Sequence, residues 1–185
     1  MLPALHWSVE REQIAAFPGA VAALSVIGQV LLQFFLRLLG EQKQICKRAE
    51  VVIRRLYARG VRYFGVGGAI GFDTMMAQLL MNLRDKDLPD IKIILVKPFD
   101  GFTSKWNDSQ KRQYEMLLHQ YDKVVCVAER PSRQAYMDRN RHLVDGSAFC
   151  VAYCTRNEGG SAYTVTLAKQ NGLEVYNVAD YCKIV

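Results

Sequence analysis

The apolar positions of this chain alternate between two spacings. Over 41–59, Ile45, Ala49, Val52, Ile53, Leu56 and Tyr57 recur at helical intervals with Lys and Arg opposite, and Gly60 follows as a stop. Residues 61–66 are β-branched and aromatic and close on Gly67-Gly68, the pattern of a strand ending in a turn. The alternation continues with helical spacing over 72–84, 109–121, 133–143 and 161–171, and with strand-like runs over 91–96, 124–128, 149–153 and 175–178. The 91–96 run is almost wholly apolar, as a strand covered on both faces requires.

Strands separated by helices imply βαβ units. The predicted fold is therefore a Rossmann-like, three-layer α/β sandwich with a mostly parallel sheet of five to six strands and helices on both faces. Residues 21–27 are the candidate for the sixth strand. The chain contains no internal repeat or low-complexity linker, so 43–185 reads as one domain. Residues 1–42 read as an atypical apolar segment, either a helix or a replacement first strand.

That opening segment bears on location. No charged residue occurs from Phe17 to Leu36, a length able to span a bilayer. Gln29 and Gln33 interrupt the run, no basic cluster precedes it, and no small-residue cleavage site follows it, which argues against a secretory signal. A buried or partner-covered helix is one reading and a membrane anchor the other; in the second, the basic residues from Arg37 to Arg48 would keep the main domain cytoplasmic.

The composition, half apolar and 23% charged, excludes a disordered chain. The five cysteines form no Cys-x-x-Cys pair and have no histidines at zinc spacing, so a reduced cytoplasmic protein without a metal site is expected. The net charge is +6, and residues 1–60 carry much of the basic excess. This favours an anionic partner. The excess is moderate and no aromatic residues interleave with the basic ones; it suits a phosphate-bearing small ligand as well as a nucleic acid. A homo-oligomer is compatible with all of this.

In open parallel sheets, ligands sit at the carboxyl ends of the strands. The segment Gly65-Val66-Gly67-Gly68-Ala69-Ile70-Gly71-Phe72-Asp73 lies at one such end and opens a helix, where backbone amides can approach an anion. Its spacing is neither the dinucleotide fingerprint nor a Walker loop. A tight turn needing positive φ explains the glycines equally well. Asp73 is placed to cap amides or to meet a ribose hydroxyl. Glu158-Gly159-Gly160-Ser161-Ala162-Tyr163-Thr164 repeats the glycine pattern, with Ser161 and Thr164 as a second clamp or Ser161 as an ordinary cap. Arg139 and Leu143 share one helix face, and Arg141 and Asp145 another. Arg139 suits a phosphate or a surface ion pair. His142 falls on the exposed side. Phe99 and Trp106 suit base stacking or rim packing.

Together these motifs resemble the YpsA-like branch of the SLOG superfamily. They run in order as Gly67-Gly68-Ala69-Ile70-Gly71-Phe72-Asp73, Pro98-Phe99 with Trp106, Arg139-Asn140 through Ser147, and Gly159-Gly160-Ser161 through Thr164. The superfamily is Rossmann-like and similar to the DNA-processing protein DprA and the LOG phosphoribohydrolases. The resemblance implies a nucleotide-type ligand such as NAD, ADP-ribose or a nucleoside phosphate, contacted by Gly67, Gly68, Gly71, Asp73, Arg139, Asn140, Gly159, Gly160 and Thr164. It implies two further readings: a nucleotide hydrolase or phosphoribohydrolase using Arg139 and Asp145, and DprA-like binding of single-stranded nucleic acid. The chain departs from the family in two places. The expected opening strand with its Gly-His-Arg motif does not precede Cys46. The segment from Ala162 to Leu167 supplies no glutamate where the phosphoribohydrolase signature carries one, so binding is expected over catalysis.

Overall fold

The computed structural model describes residues 40–180. The chain divides into two units, 1–43 and 44–185. The apolar run 17–36 and the candidate sixth strand 21–27 lie outside the described residues. Among those described, no helix is long and apolar enough to cross a membrane.

Helix α1 spans 40–58 and ends where Gly60 adopts φ 94°. Its predicted stripe of Ile45, Ala49, Val52, Ile53 and Leu56 is buried, none of them more than 7% exposed. Strand β1 (Tyr63–Val66), helix α2 (Phe72–Lys86), strand β2 (Lys92–Lys97), helix α3 (Asp108–Leu118) and strand β3 (Lys123–Cys126) follow. Helix α4 (Arg133–Asp145), strand β4 (Phe149–Ala152), helix α5 (Gly160–Gln170) and strand β5 (Glu174–Asn177) complete the order.

Local chemistry sets several boundaries. Asn107 and Gln110 form a reciprocal capping box at the start of α3, and Ser132 accepts from the Ala135 amide at the start of α4. The main core joins α1, α2, β1 and β2 around Leu56, Ile91, Ile93 and Leu95. Burial of each such side chain is worth about 1.5–3 kcal/mol. Asp122 fastens the start of β3 to β2, accepting from the Ile93 amide at 2.9 Å and pairing with Lys92 and Arg84.

All strand pairs are parallel, and the fold is α/β, consistent with a Rossmann-like sandwich. Among the described residues, the five strands pair as two groups rather than as one sheet of five to six strands: β1-β2-β3 and β4-β5. Among those residues, β1 pairs with β2 alone and β4 with β5 alone.

Candidate functional site

The segment leaving β1 turns through Gly67 and Gly68 into α2. Asp73, in the first turn of α2, folds back to accept from the Ala69 amide at 3.1 Å, while the Thr74 hydroxyl donates to the Ala69 carbonyl at 2.9 Å. The carboxylate thus caps the preceding turn. The helix start itself is capped by Gly71 at φ 97°, without a side-chain hydrogen bond.

Arg139 reaches this turn from α4. Its Nη1 donates to the Gly67 carbonyl at 2.6 Å and lies 3.4 Å from Asp73 Oδ2. A Cβ on Gly67 would fall on that guanidinium nitrogen and 2.7 Å from the Asp73 carboxylate, so only glycine leaves the arginine its path. The Arg139 side chain is 11% exposed. Its Nε is buried without a hydrogen-bond partner among the described residues. Burial raises the Asp73 pKa, and the opposing pull of Arg139 and the Ala69 amide does not cancel that rise.

The segment after β4 repeats the device. Gly159 caps α5 at φ 97°, again without a side-chain hydrogen bond. The Thr164 hydroxyl donates to the Gly160 carbonyl at 2.9 Å, and Ser161 is exposed. Two helix starts therefore keep their first amides free of side-chain caps. Asn177 steadies this end of the sheet, accepting from the Cys154 amide and donating to its carbonyl.

Both turns open on one cleft of about 360 Å³. Ala69, Ile70 and Asp73 line it from the first turn, Gly160, Ser161 and Thr164 from the second, and Arg139 and Asn140 from α4. Phe72 and Tyr153, with ring centroids 6.2 Å apart, form a wall. A second open space of about 290 Å³, lined by residues of β1 and β4, adjoins the cleft; Phe72, Asp73, Leu143, Cys150, Val151 and Thr164 border both spaces. Burial pushes the Cys150 thiol pKa up, which keeps this part of the wall neutral.

The residues singled out from the sequence thus separate into groups. Asp73, Arg139, Asn140, Gly160, Ser161 and Thr164 come together around the cleft, and Gly67 lines the second space. Gly71 and Gly159 shape the helix starts, with open space where a Cβ would be. Gly68 turns away, its Cβ position 2.7 Å from Leu95 and close to Phe102 and Tyr114. Asp145 is exposed and lines neither space, so the structure does not join it to Arg139. Arg141 lies 3.8 Å from Asp138. His142 is exposed. Phe99 packs on Tyr136, and Trp106 packs edge-to-face on Phe102 and Tyr114; neither borders the cleft. Ser161 is not the α5 cap, because the helix already begins at Gly160. The sequence reading missed the Phe72–Tyr153 wall, whose only signal was an aromatic residue beside each turn, and Asn177, which gave none.

These features define a class: a parallel α/β protein whose strand-to-helix turns converge on one cleft. The chain belongs to the YspA SLOG family (YpsA), whose profile matches residues 33–180. It is 26% identical to a UPF0398 protein of Bacillus velezensis over 72% of this chain and 77% of that one. It is also 26% identical to the UPF0398 protein YpsA of Bacillus subtilis, over 63% of this chain and 68% of the relative. A UPF0398 protein of Staphylococcus epidermidis is 31% identical over 45% of this chain and 44% of its own length.

Proposed function

We propose that the cleft binds a nucleotide or nucleotide-derived ligand. The observation that carries this reading is the convergence of two glycine-capped helix starts and Arg139 on one cavity. Helix N-termini present amides and a positive dipole end, which suit a phosphate. Arg139 adds a guanidinium whose Nε has no protein partner among the described residues. Asp73 is the carboxylate beside it, suited to ribose hydroxyls rather than to the phosphate, since like charges repel.

The role is binding or sensing. Asp145, the carboxylate considered for chemistry, faces solvent, and Asp73 is engaged by Ala69 and Arg139.

Calorimetry and thermal shift against NAD, ADP-ribose and nucleoside mono- and diphosphates test the reading. Binding is expected, with a rise in Tm that grows with ligand concentration. Gly160→Val, at a position with nothing within 4 Å of the Cβ, is expected to fold and to lose that binding. A folded wild-type chain that binds none of these compounds, or a folded variant that binds them unchanged, overturns it.

A further inference from the structure

Among the described residues, two charged side chains border the cleft, the Asp73 carboxylate and the Arg139 guanidinium, and they lie 3.4 Å apart. Their charges sum to zero. The two oxygens of Asp73 are not equivalent. Oδ2 accepts from the Ala69 amide and faces Arg139 Nη1. Oδ1 has no hydrogen-bond partner among the described residues, and the side chain keeps 32% of its surface exposed. A proton or a ligand can therefore reach Oδ1 while Oδ2 stays tied to the turn.

The surroundings leave the titration to this one group. Burial raises the Asp73 pKa, and Arg139 from α4 and the Ala69 amide from the preceding turn oppose that rise only in part. Tyr121, beyond α3, acts on Asp73 through space but stays neutral, its own pKa pushed by burial up to about 12. Cys150 of β4, which shares the wall, is kept protonated by burial. Helix α5 brings only the uncharged Gly160, Ser161 and Thr164 to the cleft. Arg156 and Glu158, beside the second turn, are exposed and border neither space, and Asp138 of α4 is engaged by Gln134 and Arg141. Among the described residues lining the cleft, Asp73 is thus the group able to change its charge between acid and neutral pH.

An anion that enters this cleft meets an ion pair without net positive charge. Its own charge works against the ionised carboxylate, and a proton from water on Oδ1 removes the repulsion. The carboxyl then becomes a hydrogen-bond donor, able to meet a ribose hydroxyl or a phosphate oxygen. Arg139, still bonded to Gly67, no longer shares its charge with Asp73. Resting on the reading of the cleft as a nucleotide site, we propose that the anionic ligand binds together with one proton, taken up on Asp73 Oδ1, so that the site holds a phosphate-bearing ligand more tightly in acid than in alkali. Occupancy of the cleft then reports pH as well as ligand concentration, and by reciprocity the ligand raises the affinity of Asp73 for its proton.

The test uses the full chain with ADP-ribose, whose pyrophosphate diester keeps a fixed charge around neutral pH, and with AMP. Calorimetry in buffers of different ionisation heat counts the protons taken up on binding, and affinity is followed between about pH 5 and pH 8. With AMP, readings are taken above about pH 7, where its own phosphate no longer titrates. Uptake approaching one proton is expected, with affinity falling by up to about tenfold per pH unit between the Asp73 pKa of the free chain and the higher one of the occupied chain. Asp73→Asn is expected to bind without proton uptake or pH slope, and at about pH 8 at least as tightly as wild type. Binding by wild type without uptake, or affinity that is flat or rises with pH, overturns the proton linkage and leaves the cleft reading standing. Uptake that persists in Asp73→Asn also overturns it, because another group then takes the proton. So does loss of binding at every pH in folded Asp73→Asn, since the ionised carboxylate then holds the ligand. A folded wild-type chain that binds neither compound removes the cleft reading and this inference with it. Should Asp73→Asn fail to fold, the wild-type uptake and pH slope decide alone.

Discussion

Arg139 is fixed to Gly67 by a hydrogen bond of 2.6 Å that crosses from the middle of α4 to the carboxyl end of β1, and a side chain at position 67 would close that path. A residue that reads from sequence as a phosphate finger is thus also a staple between two elements far apart in the chain.

Gly67→Ala should therefore act through Arg139. Displacing the guanidinium forfeits a charged hydrogen bond and leaves the Gly67 carbonyl and Asp73 without it, a loss of about 1.5–3 kcal/mol. Arg139→Leu should cost a similar amount. Because both changes remove the same interaction, the double variant should fall well short of the sum in urea unfolding. Strict additivity would show that the staple contributes nothing.

Asp73 sets a pH dependence of one sign. Its folded pKa is raised, so the folded chain holds the proton more tightly than the unfolded chain does. This contribution is fully present below the usual carboxylate pKa and is lost as pH rises through the raised value. Asp73→Asn should flatten that part of the stability profile. Arg139→Leu should steepen it, since the arginine is the group that pulls the pKa down. Unfolding midpoints followed from acid to neutral pH check both.

Asp122 acts in the opposite sense. Burial alone would raise its pKa, but the Ile93 amide, Lys92 and Arg84 together hold it below the usual value. Its contribution is present above the unfolded pKa and is lost as pH falls through the folded one. Asp122→Asn should cost about 1–2 kcal/mol near neutral pH and much less in acid, measured by denaturant midpoints.

Gly68 is expected to matter for the fold and not for ligand contact. It holds φ 69°, and its Cβ position lies 2.7 Å from Leu95. Gly68→Ala should destabilise by about 1–3 kcal/mol through backbone strain and crowding. Ligand affinity of the folded variant should stay within about threefold of wild type, a difference well under 1 kcal/mol. A large affinity loss in a fully folded variant would place Gly68 in the cleft.

The order of helices and strands was legible because burial imposes it residue by residue. Ile45, Ala49, Val52, Ile53 and Leu56 had to share a face, and Ile91–Val96 had to be covered on both sides. Strand ends were legible as glycine turns, and six of the named residues do converge on the cleft. The rest depends on distances the sequence does not encode. Nothing local to Arg139 says that it turns inward to Gly67, or that Leu143 presses on Gly65. Arg141 and Asp145 share a helix face by spacing, yet Arg141 has its ion pair with Asp138, at 3.8 Å. Phe99 and Trp106 sit at a strand end and yet pack away from the cleft, because Tyr136, Phe102 and Tyr114 offer ring edges on that side. Counting strands says how many there are, and pairing among the described ones depends on which edges meet.

Behind Gly68, Phe102, Trp106 and Tyr114 stand mutually edge-on, with centroids 5.5–5.8 Å apart. Three interlocked rings cannot shift singly, so movement of the turn at Gly68 must be transmitted to the indole or be blocked by it. Trp106 consequently offers a built-in optical gauge of that turn. In a Trp7→Phe background its emission can be followed without a label, from residues that do not line the cleft.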